Sequence, residues 1–119
     1  GADKLRVPIK FMWNYAGNTL INQHSDTNKT DRILRDESLC EFILVIENQM
    51  TPSARYADIL LPDLMQQENF DYAADGYASG SANFLVMLQQ AVKPRFEERS
   101  SYEICRGIAR RFGIEDKFT

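Results

Sequence analysis

The stretch "FILVIENQMTPSARYADILLP", residues 42 to 62, holds two short apolar runs with a polar bend between them. The first, Phe42 to Ile46, is apolar at every position. A half-solvated strand alternates; a continuous run needs cover on both faces. Such a strand belongs inside a parallel sheet with helices beside it. It stops at Glu47-Asn48. The second run, Ile59-Leu60-Leu61, is fenced by Asp58 and Pro62. It reads as a third strand, too short and apolar for a sheet edge. Residues 50 to 57 between them read as a loop with room for one helical turn.

Working outward, "VPIKFMW" (7 to 13) reads as a first strand, and "NYAGNTLINQ" follows with Gly17-Asn18 as turn chemistry. Residues 25 to 39 place Ile33 and Leu34 among charges, with Ser25, Asp26 or Thr27 as N-cap. This predicts a surface helix, mainly its second half. Residues 66 to 83, with Gly76 and Gly80, read as loop. "FLVMLQQAVKP", 84 to 94, predicts a fourth strand, with a helix as the alternative. Residues 100 to 114 predict the clearest helix. Ser100 and Glu103 form a capping-box pattern, Ile104, Ile108 and Phe112 share one face, and Gly113 can end it. Strands alternating with helical connections define an α/β class with a mostly parallel sheet.

Bulk properties narrow the function. The chain has 119 residues, 44% hydrophobic and 26% charged, with net charge −3. That length predicts a single domain, residues 1 to 119, and the acidic balance argues against a nucleic-acid partner. Cys40 and Cys105 stand in no metal-ligand spacing, and His24 is the only histidine. They read as buried free thiols, with a disulfide as the alternative. No apolar run reaches the roughly 18 residues that a membrane span needs, so no membrane insertion is expected.

In open parallel sheets ligands bind beyond the carboxyl ends of the strands. The candidates there are Asn14, Gly17 and Asn18, then Glu47 and Asn48, then Asp63, Glu68 and Asn69. A carboxylate at position 47 suits two neighbouring donors, such as a guanine edge or ribose hydroxyls. Each candidate also has a plainer reading as turn, solvated loop or cap. Trp13 and Tyr15, Tyr56, Tyr72 and Tyr77 read as packing groups, and Arg106, Arg110 and Arg111 as a solvated helix face. Neither G-x-G-x-x-G nor a P-loop is present. Spacing alone names no reaction.

Three blocks in order carry a resemblance: "WNYAGNTLINQHSD", "FILVIENQMTPSARYADILLPDLMQQEN" and "VKPRFEERSSYEICRGIARRFG". They resemble one segment of molybdopterin oxidoreductases, of the dimethyl sulfoxide reductase type. Thr51, Ala54, Ala57, Asp58, Ile59, Leu61, Pro62 and Glu68 fit the family's pattern, and the likeness runs over about residues 9 to 115. The resemblance implies an internal Rossmann-like three-layer domain excised from a larger catalytic subunit, inactive alone. The implied cofactor is molybdenum bis(molybdopterin guanine dinucleotide), with an iron–sulfur cluster outside this segment. Asn18 would contact it, and Ile46 and Glu47 would face its guanosine part, through Glu47. Asn69 and Ser101 are carried over as cofactor-facing positions, with an amide where the resemblance puts a lysine and a hydroxyl where it puts an aspartate. Asp58 and Glu68 are read as structural supports. The parent would remove oxygen from S-oxides or N-oxides in anaerobic respiration. Its implied partners are the remaining domains, an iron–sulfur electron-transfer subunit and a membrane anchor, at the periplasmic side of the bacterial inner membrane. Two rival readings are a self-contained α/β module binding a nucleotide or a partner protein, and a small enzyme of flavodoxin or phosphatase type. The second lacks a phosphate-cradling loop or nucleophile in "NYAGNTL".

Overall fold

The computed structural model describes residues 6–23, 25–74 and 84–118. The chain divides into two compact units, Gly1–Pro62 and Asp63–Thr119. His24, Gly76, Tyr77 and Gly80 lie outside the described residues.

The first unit is a parallel sheet of β1 (Met12–Tyr15), β2 (Ile43–Glu47) and β3 (Ile59–Pro62), ordered β1-β2-β3. Met12 pairs with Ile43, and Leu44 with Ile59. The central place of β2 follows from its composition. Ile43, Leu44, Val45 and Ile46 are all buried. Ile43 and Val45 form a core with Cys40 and Ala54, against which Leu20, Leu34 and Tyr56 pack. Leu20 comes from α1 (Thr19–Asn22) and Leu34 from α2 (Thr27–Leu34). A 3₁₀ turn, Ser53–Tyr56, connects β2 to β3.

Four expectations shift in this unit. The first strand starts later, because Ile9 makes only an isolated bridge to Cys40. The surface helix occupies the first half of its segment rather than the second. Asp26 caps it by accepting from the Lys29 N–H, and Asp36 ends the segment by accepting from both the N–H and the hydroxyl of Ser38. Such side-chain bonds offer the backbone an alternative to helix. A helix absent from the sequence reading, α1, stands after β1. Finally, β3 has β2 as its only ladder partner among the described residues, and Ile59 is 48% exposed, so this apolar strand sits at an edge.

The second unit contains a 3₁₀ turn at Gln66–Glu68, strands β4 (Asp71–Ala74) and β5 (Leu85–Leu88), and helix α3 (Ser101–Arg111). The fourth strand exists but is not part of the parallel sheet. It pairs antiparallel with β4, which falls in the stretch expected to be loop. α3 carries the expected capping box: Ser100 Oγ accepts from the Glu103 N–H, and Glu103 accepts from the Ser100 N–H. Its inner face is Ile104, Ile108 and the buried Ala109, while Phe112 points to solvent. Gly113 follows at φ +70, where glycine carries no Cβ penalty. Arg106 and Arg110 both donate to Glu115, so two of the three helix arginines are paired. Both cysteines are free, Cys40 buried and Cys105 half-buried. No described helix is long and apolar enough to cross a membrane.

Candidate functional site

Parallel strands place their carboxyl ends on one edge. In the first unit that edge carries the turn after β1, the end of β2 and the loop leading into the 3₁₀ turn. β1 hands over to its turn through Ala16, whose N–H donates to the Ile46 carbonyl at 3.0 Å. Ala16 itself sits at φ +46, in the left-handed region. The turn is then tied from inside by Asn14. Its buried amide donates to the Gly17 carbonyl at 2.9 Å and accepts from the Thr19 hydroxyl at 2.8 Å.

Asn18 follows as the half-buried N-cap of α1. It does not cap its own helix. Its Oδ1 instead accepts from the Ser53 N–H at 3.0 Å and from the Ser53 hydroxyl at 2.8 Å. Ser53 is fully buried, and its Oγ accepts in turn from the Ile21 N–H at 3.2 Å. One serine thus clamps the turn after β1 to the loop after β2. The serine-bearing 3₁₀ turn is braced at both ends. Thr51 Oγ1 accepts from the Ala54 N–H at 3.1 Å. The Tyr56 hydroxyl donates to Asp31 at 2.6 Å, and the Arg35 guanidinium both pairs with Asp31 and lies 5.3 Å above the Tyr56 ring. The Tyr56 hydroxyl, then Arg35, hold the Asp31 carboxyl below its usual range, and the Asp31 carboxylate pushes the Tyr56 hydroxyl up.

Glu47 ends β2, half-buried, with Oε1 accepting from the Asn48 N–H at 3.0 Å. A carboxylate has capacity for several further donors. Ile46 beside it is 1% exposed and its carbonyl is taken by Ala16. Asn18, Ile46 and Glu47 are therefore brought to one edge, and Glu47 is the group there that can meet a ligand's donors. Asn69 and Ser101 belong to the second unit. Asn69 is extended and half-buried after the 3₁₀ turn, and Ser101 is the first residue of α3. Asp58 and Glu68 are supports. Asp58 accepts from the Ile43 N–H, and the buried Glu68 accepts from the Met65 N–H. Among the described residues no group of His, Cys, Asp and Glu could hold a metal ion.

Ser53 is the residue that sequence reasoning passed over. The signal for it was faint: a hydroxyl two positions after Thr51.

The family model for molybdopterin oxidoreductases matches residues 3–111. The chain belongs to the molybdopterin oxidoreductase family. Relatives in this family include YnfE of Escherichia coli strain K12, a chain named after dimethyl sulfoxide reductase, 57% identical over all of this chain and 15% of its own length. Dimethyl sulfoxide reductase DmsA of the same strain is 51% identical over all of this chain and 14% of its own. Trimethylamine-N-oxide reductase 1, also of that strain, is 34% identical over 97% of this chain and 13% of its own. The chain thus spans only a small part of the curated relatives that it matches. Among solved structures, acetylene hydratase from Pelobacter acetylenicus superposes with a TM-score of 0.72, covering 90% of this chain and 14% of that one at 24% identity. That likeness shows the α/β fold.

Proposed function

We propose that this chain is the part of a molybdopterin oxidoreductase catalytic subunit that grips the guanosine end of a pterin guanine dinucleotide. The parent acts as a reductase of S-oxides or N-oxides. What supports the reaction class is the likeness, over nearly the whole chain, to relatives named for dimethyl sulfoxide and trimethylamine-N-oxide reductases. The chain's own share follows from one observation: Asn18 and Glu47 stand at the carboxyl edge of one parallel sheet, the edge where such sheets take ligands.

The donor set fits that group. An ionised carboxylate at Glu47 accepts from paired donors, as a guanine edge presents. The amide of Asn18 supplies a neutral polar contact beside it. Asn69 and Ser101, in the second unit, are the amide and the hydroxyl that the family resemblance carries over as cofactor-facing positions. When bound, the molybdenum centre supplies the oxygen-atom transfer. This chain's residues bind and orient the nucleotide part, which is the protein's share in cofactor enzymes. Further domains of the subunit, an iron–sulfur electron-transfer subunit and a membrane anchor complete the assembly at the periplasmic face of the inner membrane. An iron–sulfur cluster lies elsewhere in the parent.

The test is Glu47→Ala in the full-length catalytic subunit. Molybdenum by elemental analysis and guanosine monophosphate freed by acid hydrolysis should both fall relative to wild type. Unchanged contents would remove Glu47 from the site, and a wild-type protein with neither would remove the proposal.

A further inference from the structure

The Asn18–Ser53 pair sets the polarity of the site. A side-chain amide can turn either end toward a neighbour, and which end it turns is normally ambiguous. Here the ambiguity is removed by the backbone. The Ser53 N–H can only donate, so the group 3.0 Å from it on Asn18 must be the oxygen. The Ser53 hydroxyl adds to this. Its oxygen accepts from the Ile21 N–H, and its proton goes to the same Asn18 oxygen at 2.8 Å. A carbonyl oxygen has two lone pairs, and both are now used. What the Asn18 side chain has left to offer is its NH₂ group.

We infer that Ser53 is a positioning residue that commits Asn18 to meeting its ligand as a hydrogen-bond donor, so that the ligand atom at this turn is an acceptor oxygen of the phosphates or of a base carbonyl. This rests on the reading of the chain as a pterin guanine dinucleotide domain. It also separates two roles at the same edge. Glu47 receives the ligand's donors, and Asn18 gives to its acceptors. A ligand with both kinds of group fits across the two residues in one direction only. Burial makes the arrangement stiff. Ser53 is 0% exposed, and turning the Asn18 amide over would face an NH₂ against the Ser53 N–H.

The experiment uses the full-length catalytic subunit with its cofactor. Asn18→Asp keeps an oxygen for the two Ser53 donors, replaces the outward NH₂ by a second oxygen and adds one negative charge. Asn18→Ala removes both. Two quantities are read: the rate at which molybdenum and nucleotide leave the protein on dialysis, and the melting temperature of cofactor-free protein. Asn18→Asp should melt like wild type when cofactor-free, yet lose cofactor roughly tenfold faster, as expected when a donor to an acceptor oxygen becomes another acceptor. Asn18→Ala should both melt lower and lose cofactor faster. High salt should slow the loss from Asn18→Asp if the oxygen is a charged phosphate's and leave it unchanged if it is a neutral carbonyl's. Asn18→Asp holding cofactor as long as wild type would overturn the inference. So would cofactor-free Asn18→Asp melting as low as Asn18→Ala, because the Ser53 tie would then not fix the oxygen. A wild-type subunit without molybdenum or nucleotide would instead overturn the reading beneath it.

Discussion

Asp58 holds Ile43 by both polar groups of its backbone. The Ile43 N–H donates to Asp58 Oδ2 at 2.7 Å, and the Asp58 N–H donates to the Ile43 carbonyl at 2.9 Å. Ile43 opens the central strand and is 2% exposed, and Asp58 immediately precedes the edge strand β3. The pair therefore sets where β3 begins against β2. A slip by one residue would turn every β3 side chain to the wrong face. Asp58→Ala leaves a buried donor without its acceptor and should lower unfolding stability by about 1–3 kcal/mol. Asp58→Asn keeps an acceptor and should cost less. Urea unfolding of both variants checks the order; equal stability for Asp58→Ala and wild type would deny the pair its role.

Ala16 should respond to glycine in the unusual direction. Its φ of +46 places Cβ against the following carbonyl, a strain of roughly 1–2 kcal/mol in an L-residue. Ala16→Gly relieves it and adds back unfolded-chain entropy, for a net gain of up to about 1 kcal/mol. Ala16→Val should lose stability, because a β-branched side chain tolerates this region worst. The denaturant midpoint should move in opposite directions for the two variants, with the slope unchanged.

Glu115 makes stability fall in acid. Hydrogen bonds from Arg110, then Arg106, lower its carboxyl from an ordinary 4.5 to about 2. A depressed folded value means that its contribution is complete above the unfolded value and is lost as pH falls through the folded one. The melting-temperature difference between wild type and Glu115→Gln should thus be constant above about pH 5 and shrink from there toward pH 2. A difference that does not change over this range would mean that the two arginine bonds do not hold in solution.

Tyr56→Phe tests the brace behind Ser53. It removes the 2.6 Å bond to Asp31 and keeps the ring that Arg35 covers. Stability should drop, because the hydroxyl's hydrogen bond to the Asp31 carboxylate is lost. The Asp31 carboxyl should also titrate at higher pH, since the tyrosine bond is the largest cause of its depression. Carboxyl-carbon NMR over an acid titration reads this directly.

Legibility in the sequence followed locality. The run Phe42 to Ile46 announced a central parallel strand because burial on both faces leaves no alternation. Ser100 and Glu103 announced their helix because a cap is made within four positions. Glu47 could be placed because it ends a strand whose direction was known. By contrast, Ser53 and Asn18 are 35 residues apart, and nothing near either one hints at the other. β4 was missed because "DYAA" has little strand character alone, and its pairing with β5 is what makes it a strand. Ala16 carries no turn signature, whereas Gly17-Asn18 beside it reads as turn chemistry, so nothing in the sequence marks Ala16 as the left-handed residue.

The order β1-β2-β3 repeats the order of the chain, and every ladder of this sheet closes within Met12–Pro62. A sheet of this kind can grow by one strand at a time as a ribosome delivers it. Each new strand finds its partner already made, and none waits for sequence beyond Pro62. Domains generally form as units during synthesis, at about 5–20 residues per second. At that pace every residue of the Asn18–Ser53 clamp has been made seconds before the second unit, Asp63–Thr119, is complete.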